Sequence, residues 1–147
     1  MQRVLVAIDG SDGADRALTT AAKLAKTNAA ELIIVNVEQG YLSENAEAIR
    51  QADGATLDAI LFTASDDILK RAQEKAAALG VSKIHTHSGL GDAAGFILEV
   101  AKSELPDIIV VGRRGRSRLM GLLIGSVSQK LSHYADRTVM VVRPGGA

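Results

Sequence analysis

A chain of 147 residues, 47% hydrophobic and 23% charged, has ordinary globular composition and enough length to bury a proper core. Seventeen basic and seventeen acidic side chains cancel, so no bulk field draws the protein to nucleic acid or to an anionic membrane. The lack of cysteine excludes disulfides, thiol catalysis and Cys-based zinc sites, and the apolar runs are far too short to span a bilayer.

Met1-Gln2-Arg3 leads directly into the apolar run Val4–Ile8, without the longer apolar region of a signal peptide, so a soluble, cytoplasmic, single-domain protein is expected. That run is closed by Asp9-Gly10, and its unbroken apolar character predicts a parallel strand covered on both faces. Ser11 and Asp12 are good N-cap residues. Ala14, Ala17, Leu18, Ala21, Leu24 and Ala25 then recur at helical spacing to about Asn28. Glu31 opens a second buried strand, Leu32–Val37.

Residues from Glu38 to about Gly54 lack clear periodicity and read as a long connection, in which Tyr41 is better taken as a packed tyrosine than as a base-stacking one. From Leu57 an amphipathic helix is predicted through Ile60, Leu61, Ala64, Ile68, Leu69, Ala72, Ala76 and Leu79, ended by Gly80. Val81–Ser88 alternates, as an edge strand would. It places His85 and His87 on one face, where two surface imidazoles are favoured over a metal site because no third ligand is evident. Gly89-Leu90-Gly91-Asp92-Ala93-Ala94 satisfies the dinucleotide fingerprint G-x-G-x-x-A, but at the third strand–helix unit rather than the first. A tight turn with Asp92 as N-cap is the better reading, with Ala94, Ile97, Leu98 and Ala101 as the buried helix face. Pro106 closes that helix, and Asp107–Val111 is a fourth strand. A helix from about Ser126 to Tyr134-Ala135 and a fifth strand, Thr138–Val142, follow, with a mobile tail expected at Gly145–Ala147.

The link between the fourth strand and the last helix carries the most chemistry. Between Val111 and Ser126 lie four glycines and four arginines and no carboxylate. Glycines let backbone N–H groups converge without a Cβ in the way, and a helix N-terminus adds unpaired donors and a positive dipole end. Arg113, Arg114, Arg116 and Arg118 can pair with phosphate oxygens. The arrangement suits a phosphate; the competing reading is a solvated arginine loop with a Gly-Ser helix start. Asp9, at the carboxyl end of the first strand, stands where open α/β sheets place ligands. It serves equally well as a turn residue bonded to its own backbone.

The spacing Gly112-x2-Gly115-x9-Gly125-Ser126 resembles the nucleotide-binding signature of the universal stress protein family, in its ATP-binding branch. The likeness extends to both ends of the chain, in Val4–Ser11 and Thr138–Pro144. Alternating strands and helices already predict an α/β layered domain with a mainly parallel sheet. The resemblance implies an open five-stranded sheet of order 3-2-1-4-5 with helices on both faces, and so a switch point between Asp9 and Gly112. It further implies that Ala7, Ile8, Asp9 and Val37 hold the adenosine of ATP. Val111, Gly112, Arg114, Gly115, Gly125, Ser126, Val127 and Ser128 then line the phosphate side, with Mg²⁺ accompanying the nucleotide. Arg114 departs from the smaller residues common there in the family. A homodimer through the fifth strand, residues 138–142, is also implied.

The leading expectation is thus an ATP-binding regulatory or signalling module. One alternative is a slow ATPase or phosphotransferase, although no Walker motif is present, no obvious base is fixed near the γ-phosphate, and the candidate His133 is better taken as a helix-surface histidine. The other is a dimeric partner-binding module that uses no nucleotide.

Overall fold

The computed structural model of the chain describes residues 1–38, 46–113 and 126–143, with the side chains of 46–57 outside that description. Tyr41 and the tail Gly145–Ala147 therefore lie outside the described residues, as do Arg114, Gly115 and Gly125 of the glycine-rich link.

Strands and helices alternate as β1 (Arg3–Ile8), α1 (Asp12–Thr27), β2 (Glu31–Glu38), α2 (Ala46–Ala78), β3 (Ile84–Leu90), α3 (Ala93–Glu104), β4 (Ile108–Gly112), α4 (Ser126–Tyr134) and β5 (Thr138–Val142). The five strands form one sheet in the order β3-β2-β1-β4-β5, and every pairing is parallel. Period-two alternation splits each apolar strand between two cores. Val4, Val6, Leu32, Ile34 and Val110 pack under α1 and α2, while Leu5, Ile33, Val35, Ile109 and Leu131 pack with α3 and α4. Both sheet faces are covered, which is why β1, β2 and β4 read as unbroken apolar runs. The strand β3 lies at an edge, in keeping with its alternating sequence.

Local signals fix the helix starts. Ser11 Oγ accepts from Ala14 N at 3.1 Å and opens α1; Asp92 Oδ2 accepts from Gly95 N at 2.9 Å and opens α3. The fingerprint-like glycines are absorbed by ordinary structure. Gly89 lies within β3, and Gly91 makes the following turn at φ +105°, where a side chain would be strained.

Two boundaries differ from the sequence reading. The strand β3 starts at Ile84 rather than Val81 and runs on through Leu90, because its register follows β2 as far as the Glu38↔Leu90 pair. The helix α2 begins at Ala46, inside the expected connection, and not at Leu57. Its 33 residues span about 50 Å, whereas the eight residues of β2 span about 26 Å. The amino-terminal part therefore has no sheet beneath it. Ile60 is 52% exposed and Ala64 is exposed, so the expected apolar face does not extend that far. The buried stripe comprises Ser65, Leu69, Ala72 and Ala76.

Candidate functional site: the crevice between β1 and β4

The backbone pairing locates the crevice. β1 and β4 pair from Val4↔Ile108 to Val6↔Val110, and no further. Beyond that point β1 stays paired to β2 through Ile8↔Asn36, and β4 stays paired to β5 through Gly112↔Val142. The two central strands therefore part at their carboxyl ends while each remains held by its outer neighbour. In the order β3-β2-β1-β4-β5 this is the point where the strand order reverses, the place where open parallel sheets hold their ligands.

On the β1 side, Ala7 is half-buried, Ile8 buried, and Asp9 half-buried. Asp9 Oδ1 accepts from Ser11 N at 2.9 Å, so the carboxylate holds the Asp9-Gly10-Ser11 turn. One strand outward, fully buried Asn36 donates from Nδ2 to the Ile8 carbonyl at 2.8 Å. That bond anchors the chain one residue before Asp9. Its Oδ1 is buried without a hydrogen-bond partner among the described residues. The sequence reading passed over Asn36, although a lone amide within Leu32–Val37 was the available signal. Val37, 7% exposed, ends the apolar part of β2 on the α3–α4 side.

On the β4 side, Val111 is buried and Gly112 faces the first turn of α1. A Cβ on Gly112 would lie 2.8 Å from Gly13 O and 2.9 Å from Gly13 C. The absence of a side chain there is required by the close approach of two backbones. Ser128, 3% exposed, donates from Oγ to Gly112 O at 2.7 Å and ties the first turn of α4 to the end of β4. With its hydrogen spent on that carbonyl, this hydroxyl is an acceptor only, and Ser128 has just its backbone N–H to offer an anion. Ser126 is exposed, and Val127 packs on the core shared with Val37 and Val111. The first turn of α4 carries no acidic side chain, so no carboxylate of its own offsets the positive end of its dipole.

Of the residues singled out in sequence, Ala7, Ile8, Asp9, Val37, Val111, Gly112, Ser126, Val127 and Ser128 thus stand at the carboxyl ends of three adjacent strands or in the helix that follows the third. His133 lies seven residues beyond Ser126, about 10 Å along α4, with its ring edge-on to Tyr134 at 4.6 Å. His87 Nε2 is 3.2 Å from Glu104 Oε1, and His85 Nε2 is 3.9 Å from Glu31 Oε2. Among the described residues no group of three or more His, Cys, Asp or Glu side chains is placed to hold a metal ion. No described helix is long and apolar enough to cross a membrane. A cleft of about 240 Å³ lies between α1 and α2, lined by Gly10, Asp15, Ile68, Arg71 and Lys75. It lies on the opposite face of the sheet from Val37 and Val127 and adjoins the crevice at Ile8 and the Gly10-Ser11 turn.

The sequence profile of the universal stress protein family matches residues 1–143. Universal stress protein YxiE of Bacillus subtilis is 38% identical over 146 residues, covering 96% of this chain and 98% of that one. In structure, the chain is similar to universal stress protein UspA of Lactobacillus plantarum, at 26% identity and TM-score 0.80 over 97% of each chain. It is also similar to a universal stress protein solved in complex with cAMP, at 29% identity and TM-score 0.68 over 97% of this chain and 96% of that one. The chain belongs to the universal stress protein family.

Proposed function

We propose that this protein binds ATP, accompanied by Mg²⁺, in the crevice between β1 and β4, and acts as a nucleotide-dependent stress-response regulator in the cytoplasm. The observation that carries this reading is the parting of β1 and β4 beyond Val6↔Val110, with the amino terminus of α4 fastened beside it by Ser128. A relative of 29% identity that takes cAMP supports an adenine nucleotide as the ligand class. In this reading Ala7, Ile8, Asp9 and Val37 contact adenosine. The phosphates lie against Val111, Gly112 and the N–H groups of Ser126, Val127 and Ser128, with Arg114, Gly115 and Gly125 completing the cradle. The chain works as one domain and pairs with a second copy through β5. That strand is an edge whose residues Val139 to Val142 are only half-buried, which suits such an interface.

Calorimetric titration of nucleotide-free protein with Mg-ATP tests the reading. Saturable micromolar binding is expected, and Gly115→Glu, which brings a side chain and a negative charge into the cradle, abolishes it while the melting temperature stays unchanged. No heat up to roughly millimolar ATP, weaker than about −4 kcal/mol, would overturn the proposal. Light scattering at micromolar concentration is expected to give a dimer mass; a monomer would remove the β5 interface.

A further inference from the structure

The turn between β3 and α3 places an aromatic ring beside Val37. Gly89 is the β3 partner of Val37 in the parallel register. Registered residues of neighbouring parallel strands point to the same face, about 5 Å apart. The side-chain place at Gly89 is taken by Phe96: a Cβ there would lie 2.6 Å from Phe96 Cε2, 2.7 Å from Cδ2 and 2.8 Å from Cγ. The ring therefore occupies the same layer as the Val37 side chain, one strand farther out, at the carboxyl edge of the sheet. Phe96 packs on the core that contains Val37, Val111 and Val127, yet it is only half-buried.

The placement of the ring is held from both sides. Gly91 N donates to Glu38 O at 3.0 Å, which binds the β3–α3 turn to the residue after Val37. The Asp92 cap fixes the first turn of α3, four residues before Phe96. The remaining run of that helix, Ile97, Val100 and Ala101, is buried against the sheet, so the helix cannot roll without emptying the core.

We propose that Phe96 is the outer wall of the adenine pocket, its ring seated on Gly89 and its contact made with a base lying over Val37. This rests on the nucleotide reading above and deepens it. The ring then offers the base an apolar aromatic surface, so it favours a flat purine through contact area. The triphosphate, on the β4 side, gains nothing from it.

The test compares binding of Mg-ATP and of Mg-tripolyphosphate, which has no base, to wild type, Phe96→Ala, Phe96→Leu and Gly89→Ala. Phe96→Ala is expected to weaken Mg-ATP about tenfold and to leave Mg-tripolyphosphate unchanged. Phe96→Leu, which keeps apolar volume on Gly89 without a flat face, gives an intermediate loss and carries the test if the alanine variant does not fold. Gly89→Ala displaces the ring and weakens Mg-ATP, but adds no further loss when combined with Phe96→Ala or Phe96→Leu. Unchanged Mg-ATP affinity in a folded Phe96 variant would overturn the wall while leaving the nucleotide site standing. So would an equal loss for both ligands, which marks a structural role. If wild type binds neither ligand, the nucleotide reading and the wall fall together.

Discussion

Gly112→Ala is expected to destabilise the protein in the complete absence of nucleotide. The added Cβ would stand 2.8 Å from Gly13 O, 2.9 Å from Gly13 C and 3.3 Å from Ala14 N. An ordinary carbon–carbon contact is about 3.5–4.0 Å, so the two backbones must separate by roughly half an ångström or more. Neither can yield cheaply. Gly112 is held by Ser128 Oγ on its carbonyl and by pairing with Val142. The first turn of α1 is held by the Ser11 cap and by Ala14, Ala17 and Leu18, all buried against the sheet. Overpacking of this kind costs about 1–3 kcal/mol. At about 3 °C per kcal/mol for a chain of this size, the melting temperature should fall by roughly 3–10 °C. Thermal unfolding of nucleotide-free wild type and variant by circular dichroism, with urea titration alongside, measures it. Equal stability would refute the claim that backbone approach, and not a ligand alone, requires glycine at this position.

Other perturbations give different signatures. Ser128→Ala leaves the Gly112 carbonyl without its donor and should cost about 1–2 kcal/mol, seen as a lower urea midpoint with an unchanged slope; an unchanged midpoint would mean the bond contributes nothing. Asp107 accepts from Gln2 N at 2.7 Å and Arg3 N at 3.0 Å, and these backbone donors, Arg3 foremost, hold its carboxyl below the ordinary value. A depressed carboxylate contributes stability that is full above its unfolded value, near 3.8, and is lost as pH falls through the folded one. Asp107→Asn should therefore lower stability at neutral pH and flatten the acid limb below about pH 4; parallel curves for the two proteins would refute it.

Much of this fold is written locally. Val4–Ile8, Leu32–Val37 and Asp107–Val111 are legible as doubly covered strands because their apolar residues record two buried faces. Ser11 and Asp92 are legible as caps because a short oxygen beside free N–H groups has one good use. The bounds of β5, Thr138–Val142, are those the sequence predicts. The strand order came from family resemblance; no periodicity could supply it. The start of α2 escaped notice for a physical reason. Hydrophobic period reports burial, and at Ile60 and Phe62 the large apolar side chains of α2 are exposed, so no buried face marks the helix there.

By itself, the sequence determined how many layers form, where α1, α3 and α4 begin, and that a link rich in glycine and arginine follows a buried strand. Which groups meet across those layers was decided by the tertiary structure alone. Gly112 is glycine because α1 passes within contact of it, and Ser128 turns its hydroxyl onto that same residue. Asn36 is polar within an apolar strand because it holds the Ile8 carbonyl, and Gly89 is bare because Phe96 lies on it. Each is a contact between segments distant along the chain or on different elements, and a local pattern records only that a residue is buried, not what it is buried against.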